Sequence, residues 1–293
     1  MGVETIQGSI TESESCERAV CGVDAIVHTA ALAGVWGPTS AFEETNVRAT
    51  DLLLAAAKRH GVQAMVLTSS PSVTFDGSPQ SGIDESVPYP KQWLCDYPRT
   101  KAISEQRVLA ANAPGRLSAC ALRPHLIWGV GDPHLIPRVI ERCKAGRLRC
   151  VGEGTNRIDT VHVENAAAAH VLAVNRMLEH DTNASGRAYF ITDDEPVECW
   201  SWISTILRCA GLEPPRRKIS LRRAIQVGAA LEWIYRMGGI THEPPMTRFV
   251  ASQLGVDHYF DITAAKQRLG YRPAHDRTER IAELSEWLST YRS

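Results

Sequence analysis

The sequence has no unbroken apolar run long enough to cross a bilayer. Its nearest approach, LRRAIQVGAALEWIYRMGG at 221–239, is interrupted by Arg222, Arg223, Gln226, Glu232 and Arg236. That spacing reads as an amphipathic helix on a lobe or a partner, with shallow membrane contact the minor alternative. The eight cysteines include no CxxC pair and the ten histidines no HExxH, so no metal site is expected. No signal peptide opens the chain, and scattered cysteines then imply reduced thiols in the cytoplasm. A formal net charge of −1 gives neither the basic field of a nucleic-acid binder nor an acidic disordered tail. Internal repeats and low-complexity segments are absent as well.

What is present suits a soluble α/β protein. With 293 residues, 44% of them hydrophobic, the chain can build one large domain or a core with a smaller lobe. Apolar runs predict strands at 3–6, 25–29, 64–68, 118–122 and 187–192, alternating with helical patterns at 12–20, 46–60, 98–111 and 136–145. Strands this apolar, separated by helices, indicate a parallel sheet covered on both faces. From Gly129 the pattern changes to a turn-rich GVGDPHL, a hairpin-like piece at 148–170, and Pro-rich joints at 213–215 and 243–245. Residues 1–130 and 158–195 are therefore expected to form the sheet domain, and 131–157 and 196–293 a smaller, mostly helical lobe.

The sharpest motif is Tyr97-Pro98-Arg99-Thr100-Lys101. A tyrosine and a lysine four apart at a helix start share one face. A free phenol, with a pKa of about 10, is a poor proton carrier at neutral pH; a neighbouring ammonium favours the phenolate. Ser69-Ser70 follow the strand AMVLT and so emerge at the carboxyl edge of the sheet, where open α/β proteins bind ligands. The Tyr–Lys spacing alone recurs by chance. Its place about thirty residues after a strand–Ser-Ser turn gives it meaning.

VHTAA, Asn46-Val47, VLTSSPSV, YPRTK, LRPHLIWGVGD, VHVENAAAAH and FDITAAKQRLGYRP resemble, in order, the landmarks of the extended short-chain dehydrogenases/reductases. Ala33-Gly34-Val35-Trp36-Gly37 and EPPMTRFVASQL bring the chain nearest to the 3β-hydroxysteroid dehydrogenase/isomerase-like branch. The resemblance runs from Val3 to about Pro273 and implies a Rossmann-type doubly wound parallel sheet with a C-terminal substrate lobe. It implies Tyr97 as acid–base, Lys101 as the group that lowers its pKa and holds the nicotinamide ribose, and Ser70 as the substrate-oxygen partner, with Ser69 as fallback. Asn46 matches a position that supports the sheet and a relay water, with a helix N-cap as the rival reading. Thr29, Ala30 and Ala31 would run along an NAD or NADP cofactor, and Pro124 and His125 would sit beside the nicotinamide, His125 as a structural residue. Ser9 and Ile10 would face the adenine, with Ser9 where the family usually has aspartate.

The family's GxxGxxG turn does not occur in the sequence. Against the family landmarks, MGVETIQGSI falls on the third strand, so the first two strands are expected to be missing and dinucleotide binding to be weakened. The activity implied is NAD(P)-dependent oxidoreduction of a hydroxyl or keto group on an apolar substrate, a sterol or a long-chain 3-oxo acid. One alternative is a nucleotide-sugar epimerase or dehydratase, with Arg138, Arg142, Arg147 and Arg157 on a diphosphate. Another is a non-catalytic fragment that docks on a homologous chain through an exposed strand edge. A homodimer through the helices at 46–60 and 98–111 is plausible by resemblance.

Overall fold

A computed structural model describes residues 3–113, 115–274 and 276–290. Four parallel strands build the central sheet in the order β1 (Ala25–His28), β2 (Ala64–Thr68), β3 (Ser118–Pro124) and β4 (Ala188–Ile191). Strand side chains alternate between two cores, as a period of two requires. Ala64, Val66, Cys120 and Leu122 face one side; Met65, Leu67, Ala119 and Ala121 face the other. All eight are buried, which is why these strands read as continuous apolar runs.

Helices α1 (Ser13–Val20), α2 (Ala49–His60) and α3 (Asp96–Ala110) cover the second face, with Val20, Leu53 and Val108 in its core. Gly61 closes α2 in the left-handed conformation, φ 69°, its N–H bonded to the Ala57 carbonyl. The first face is covered by α5 (Val163–Leu178), through Ala166, Ala169, Ala173 and Met177. Between them α4 (Leu135–Lys144) leaves the sheet to join α6 (Cys199–Cys209) around Trp128, Ile136, Trp202 and Ile206, a separate core. Helices α7 (Leu221–Met237) and α8 (Arg248–Gly255) complete that side. Phe260, Ile262 and Tyr271 then return to the sheet core, where Phe260 stacks on Phe190 at 4.3 Å. No helix among the described residues is long and apolar enough to cross a membrane.

Three expectations are corrected. Residues 3–6 form no strand, and Val3 is 92% exposed. In a doubly wound sheet the third strand pairs with the second, not the fourth; the described residues offer it no such neighbour, and β1 pairs only with β2. The helix expected at 46–60 starts earlier, as Thr39–Phe42, and passes through a π-helical turn, Glu43–Arg48, into α2. No hairpin forms at 148–170. Cys150–Val151 pairs with Lys218–Ile219, whereas Arg157–Ile158 pairs with Val197–Glu198 and His258. Gly152 and Gly154, at φ 72° and 91°, turn the chain between two different partners.

Candidate active site

The carboxyl edge of the sheet gathers the residues with chemical potential. Strand β2 ends at Thr68, and Ser69 and Ser70 follow immediately. Ser70 caps a short 3-10 turn, Pro71–Thr74, accepting from the Ser72 N–H at 3.2 Å and sharing a hydrogen bond with the Ser72 hydroxyl at 2.9 Å. Ser69 instead turns inward, 4% exposed, and its hydroxyl has no partner. The two serines are thereby told apart: Ser70 lies near enough to the Tyr97 phenol to act on its pKa, and Ser69 does not act on it.

Tyr97 and Lys101 stand one turn apart at the start of α3. Burial pushes the Tyr97 pKa above the ordinary phenol value, and the Ser70 contact works against that rise. The expected depression by Lys101 is not among the effects acting on it; burial prevails. Lys101 is itself 2% exposed, and burial brings its pKa down to about 8 while Glu105 pulls it back up. Its ammonium has no hydrogen-bond acceptor among the described residues. A buried ammonium in that condition fits a hydroxyl-rich ligand such as a ribose.

Asn46 lies inside the π turn and is no N-cap. Its Oδ1 accepts from the Leu32 N–H at 2.7 Å and its Nδ2 donates to the Thr100 hydroxyl at 3.0 Å. The wider turn also leaves its carbonyl free to accept from the Ser104 and Thr50 hydroxyls, each at 2.6 Å. The loop after β1 is thus bound to the helix of Tyr97 and Lys101 through one side chain. Thr29 and Ala30, exposed at the end of β1, begin that loop, with Ala31 half-buried beside them.

Pro124 ends β3 paired with Ile191, and His125 follows it. The buried His125 ring bonds to His258 at 2.6 Å, and His258 in turn reaches the Gln253 carbonyl at 2.6 Å. Burial and the second imidazole hold the His125 pKa well below its usual value, so it stays neutral. Ser9 makes its contacts locally, with the Thr11 hydroxyl at 2.8 Å, and the Ile10 carbonyl accepts from Cys16. Both precede α1, whose far end enters β1 through a short turn, so they lie toward the carboxyl edge.

Sequence reasoning passed over several residues that shape the site. Glu105 and Arg123 form a buried ion pair between α3 and β3, with Nε to Oε2 at 3.1 Å, and the Tyr89 hydroxyl donates to Glu105 at 2.6 Å. Glu105 lies four residues after Lys101, a spacing visible in the sequence. Thr100 and Ser104 had a comparable signal, two hydroxyls four apart facing Asn46. Ser72 had none. The residues fit the nicotinamide-ribose end of a dinucleotide; for the diphosphate no glycine-rich turn opening a helix exists among those described.

Beside the edge lies a cavity of about 190 Å³, walled by Val35, Leu126, Trp202, Ile203 and Phe249 with few polar groups. Val35 also borders an open groove at Cys95 and Asp96, next to Tyr97. Val35 is thus common to the apolar cavity and to the groove that ends beside Tyr97.

A model of the 3-beta hydroxysteroid dehydrogenase/isomerase family matches residues 1–223. A 2-alkyl-3-oxoalkanoate reductase of Shewanella oneidensis is 44% identical, over 92% of this chain and 72% of the relative. A 3 beta-hydroxysteroid dehydrogenase/Delta 5-->4-isomerase of Mycobacterium tuberculosis is 33% identical, over 96% and 78%. Among solved structures, MoeE5 in complex with UDP-glucose and NAD superposes with a TM-score of 0.72 at 24% identity, covering 98% of this chain and 86% of that one. At that identity the likeness speaks for the fold.

Proposed function

The chain belongs to the 3-beta hydroxysteroid dehydrogenase/isomerase family and is an NAD(P)-dependent oxidoreductase of the extended short-chain class; from that premise we propose that it interconverts a hydroxyl and a keto group on a long-chain 3-oxo acid or sterol-type substrate. The observation that carries this reading is the gathering of Ser70, Tyr97 and the buried Lys101 at the carboxyl edge of the sheet, with Ser70 acting on the Tyr97 phenol. In the reductive direction the Ser70 hydroxyl donates to the substrate oxygen and Tyr97 delivers the proton. In the oxidative direction Tyr97 takes it back. The Lys101 ammonium binds ribose hydroxyls and adds positive charge beside the reacting oxygen. Asn46 is a positioning residue, because its amide is already engaged by Leu32 and Thr100. A bound nicotinamide supplies or accepts the hydride.

Thr29, Ala30, Ala31, Pro124 and His125 are proposed to flank the cofactor, and Ser9 and Ile10 its adenine end. Residues 131–157 and 196–293 are proposed as the substrate lobe. Without a glycine-rich turn, the 293-residue chain is expected to hold the dinucleotide weakly. Titrating NADH and NADPH by fluorescence tests that expectation, and micromolar binding would overturn it. The eight free cysteines favour a cytoplasmic setting, and α2 with α3 is the proposed homodimer face. The function is tested by following NAD(P)H formation with 3-hydroxysteroids and 3-hydroxy acids, against UDP- and dTDP-sugars. Turnover of the sugars alone would reject it.

A further inference from the structure

The apolar cavity has one feature that a container for a neutral substrate does not need. Arg138 and Arg142, one turn apart on α4, both line it, and both form ion pairs with the single carboxylate of Glu243. The Arg142 contact is 3.1 Å. Two guanidinium groups on one carboxylate leave one positive charge in excess and more N–H donors than the carboxylate can accept. Guanidinium groups beside apolar walls are costly unless paired, and two of them repel each other. A tie between α4 and the 243–245 joint would need only one arginine.

We infer that Arg138 and Arg142 form an anion subsite that takes the carboxylate of an amphiphilic substrate whose apolar body fills the cavity. The inference rests on the oxidoreductase reading above and narrows it from sterol or acid to the acid. Planar, two-pronged pairing between guanidinium and carboxylate is the contact such a subsite provides. A nucleotide-sugar diphosphate carries the same sign of charge. The walls argue against it, because Leu126, Leu135, Val139, Ile203 and Phe249 offer sugar hydroxyls no partners, and His258 is already engaged by His125 and the Gln253 carbonyl. Val35 is shared between this cavity and the groove at Cys95 and Asp96, the two residues before Tyr97.

Calorimetric titration of the whole chain with a long-chain 3-hydroxy acid, its methyl ester and the matching secondary alcohol tests the subsite without relying on turnover. The acid is expected to bind about tenfold more tightly than the ester or alcohol, and Arg142→Met to abolish that preference while leaving the two neutral ligands within about twofold. Glu243→Gln frees both guanidinium forks and should strengthen acid binding severalfold, so a poorly folded arginine variant does not decide the matter alone. Equal binding of acid and alcohol by the unaltered chain, or equal losses for both in Arg142→Met, would overturn the subsite. Arginine-dependent binding of UDP-glucose in place of the acid would overturn it as well. Turnover measured alongside, at NAD(P) concentrations high enough to offset weak binding, separates the two readings: acid selectivity with no oxidation refutes the proposed hydroxyl–keto substrate and upholds the subsite, whereas oxidation with no acid selectivity does the reverse.

Discussion

The Asn46 amide donates to the Thr100 hydroxyl at 3.0 Å, and this bond fastens the helix leading into β2 to the helix that bears Tyr97 and Lys101. The same side chain accepts from the Leu32 N–H at 2.7 Å, so the loop beyond Thr29 is held by it too. Asn46→Ala leaves buried donors and acceptors unmatched. A stability loss of roughly 1–3 kcal/mol is expected, measured by denaturant unfolding. Because the loop is freed as well, the cofactor KM should rise more than kcat falls. An unchanged cofactor KM would argue that Asn46 serves the helix alone.

Tyr97→Phe removes the proton donor and is expected to lower kcat by about 10²–10⁴. Ser70→Ala should cost about 10²–10³ in kcat, in line with loss of one donor to a developing oxyanion. Ser69→Ala should leave kcat near that of the unaltered protein, since the Ser69 hydroxyl is buried with no partner among the described residues. Steady-state kinetics on the three variants checks the order. A Ser69 variant more damaged than the Ser70 variant would reverse the assignment.

The pH dependence follows from two opposite shifts. Burial raises the Tyr97 pKa, so its hydroxyl keeps its proton through neutral pH and can donate. Burial lowers the Lys101 pKa to about 8, so the ammonium is present below that value and lost above it. Reductive kcat/KM should be level from about pH 6 to 7 and fall above about 8. Lys101→Arg, with a group that does not titrate in this range, should move the fall to higher pH while retaining measurable activity. A fall unmoved in that variant would assign it to another group.

Glu105 and Arg123 are both buried, and one Arg123 nitrogen already lacks a partner. Glu105→Gln strands the guanidinium and should destabilise the protein by roughly 3–5 kcal/mol. The double replacement Glu105→Leu, Arg123→Leu should lose much less, since it leaves no unpaired charge. Glu105 also raises the Lys101 pKa, so in Glu105→Gln the alkaline fall of activity should begin at lower pH. Thermal unfolding and the pH profile read the two effects separately.

Much of this is legible in the amino-acid sequence. Strands such as AMVLT and SACALRP are buried on both faces, so an unbroken apolar run marks them. Tyr97 and Lys101 could be paired from spacing alone, because a helix repeats its face every turn. The strand expected at 3–6 failed for a non-local reason: its four residues suit a strand, but a strand exists only beside a partner. The choice between Ser69 and Ser70 depended on which way a chain turns after β2, and adjacent identical residues carry no sign of that. The Glu105–Arg123 pair joins segments 18 residues apart and shows only when α3 lies on β3.

The π turn at Glu43–Arg48 acts on rotational phase. It lets Phe42 before it and Leu53 after it both be buried, although they sit in helical stretches that are out of step with each other. Removing one residue within 43–48 would restore an even winding and turn one stretch against the other by about 100°. Either Leu53 would leave its core, or the Thr39–Phe42 stretch would swing and draw Trp36 away from the Ile240 carbonyl it bonds at 3.0 Å. A single extra residue thus sets the angular alignment of the loop carrying Val35 with the sheet edge, so length at this point is constrained even where the identity of the residue is not.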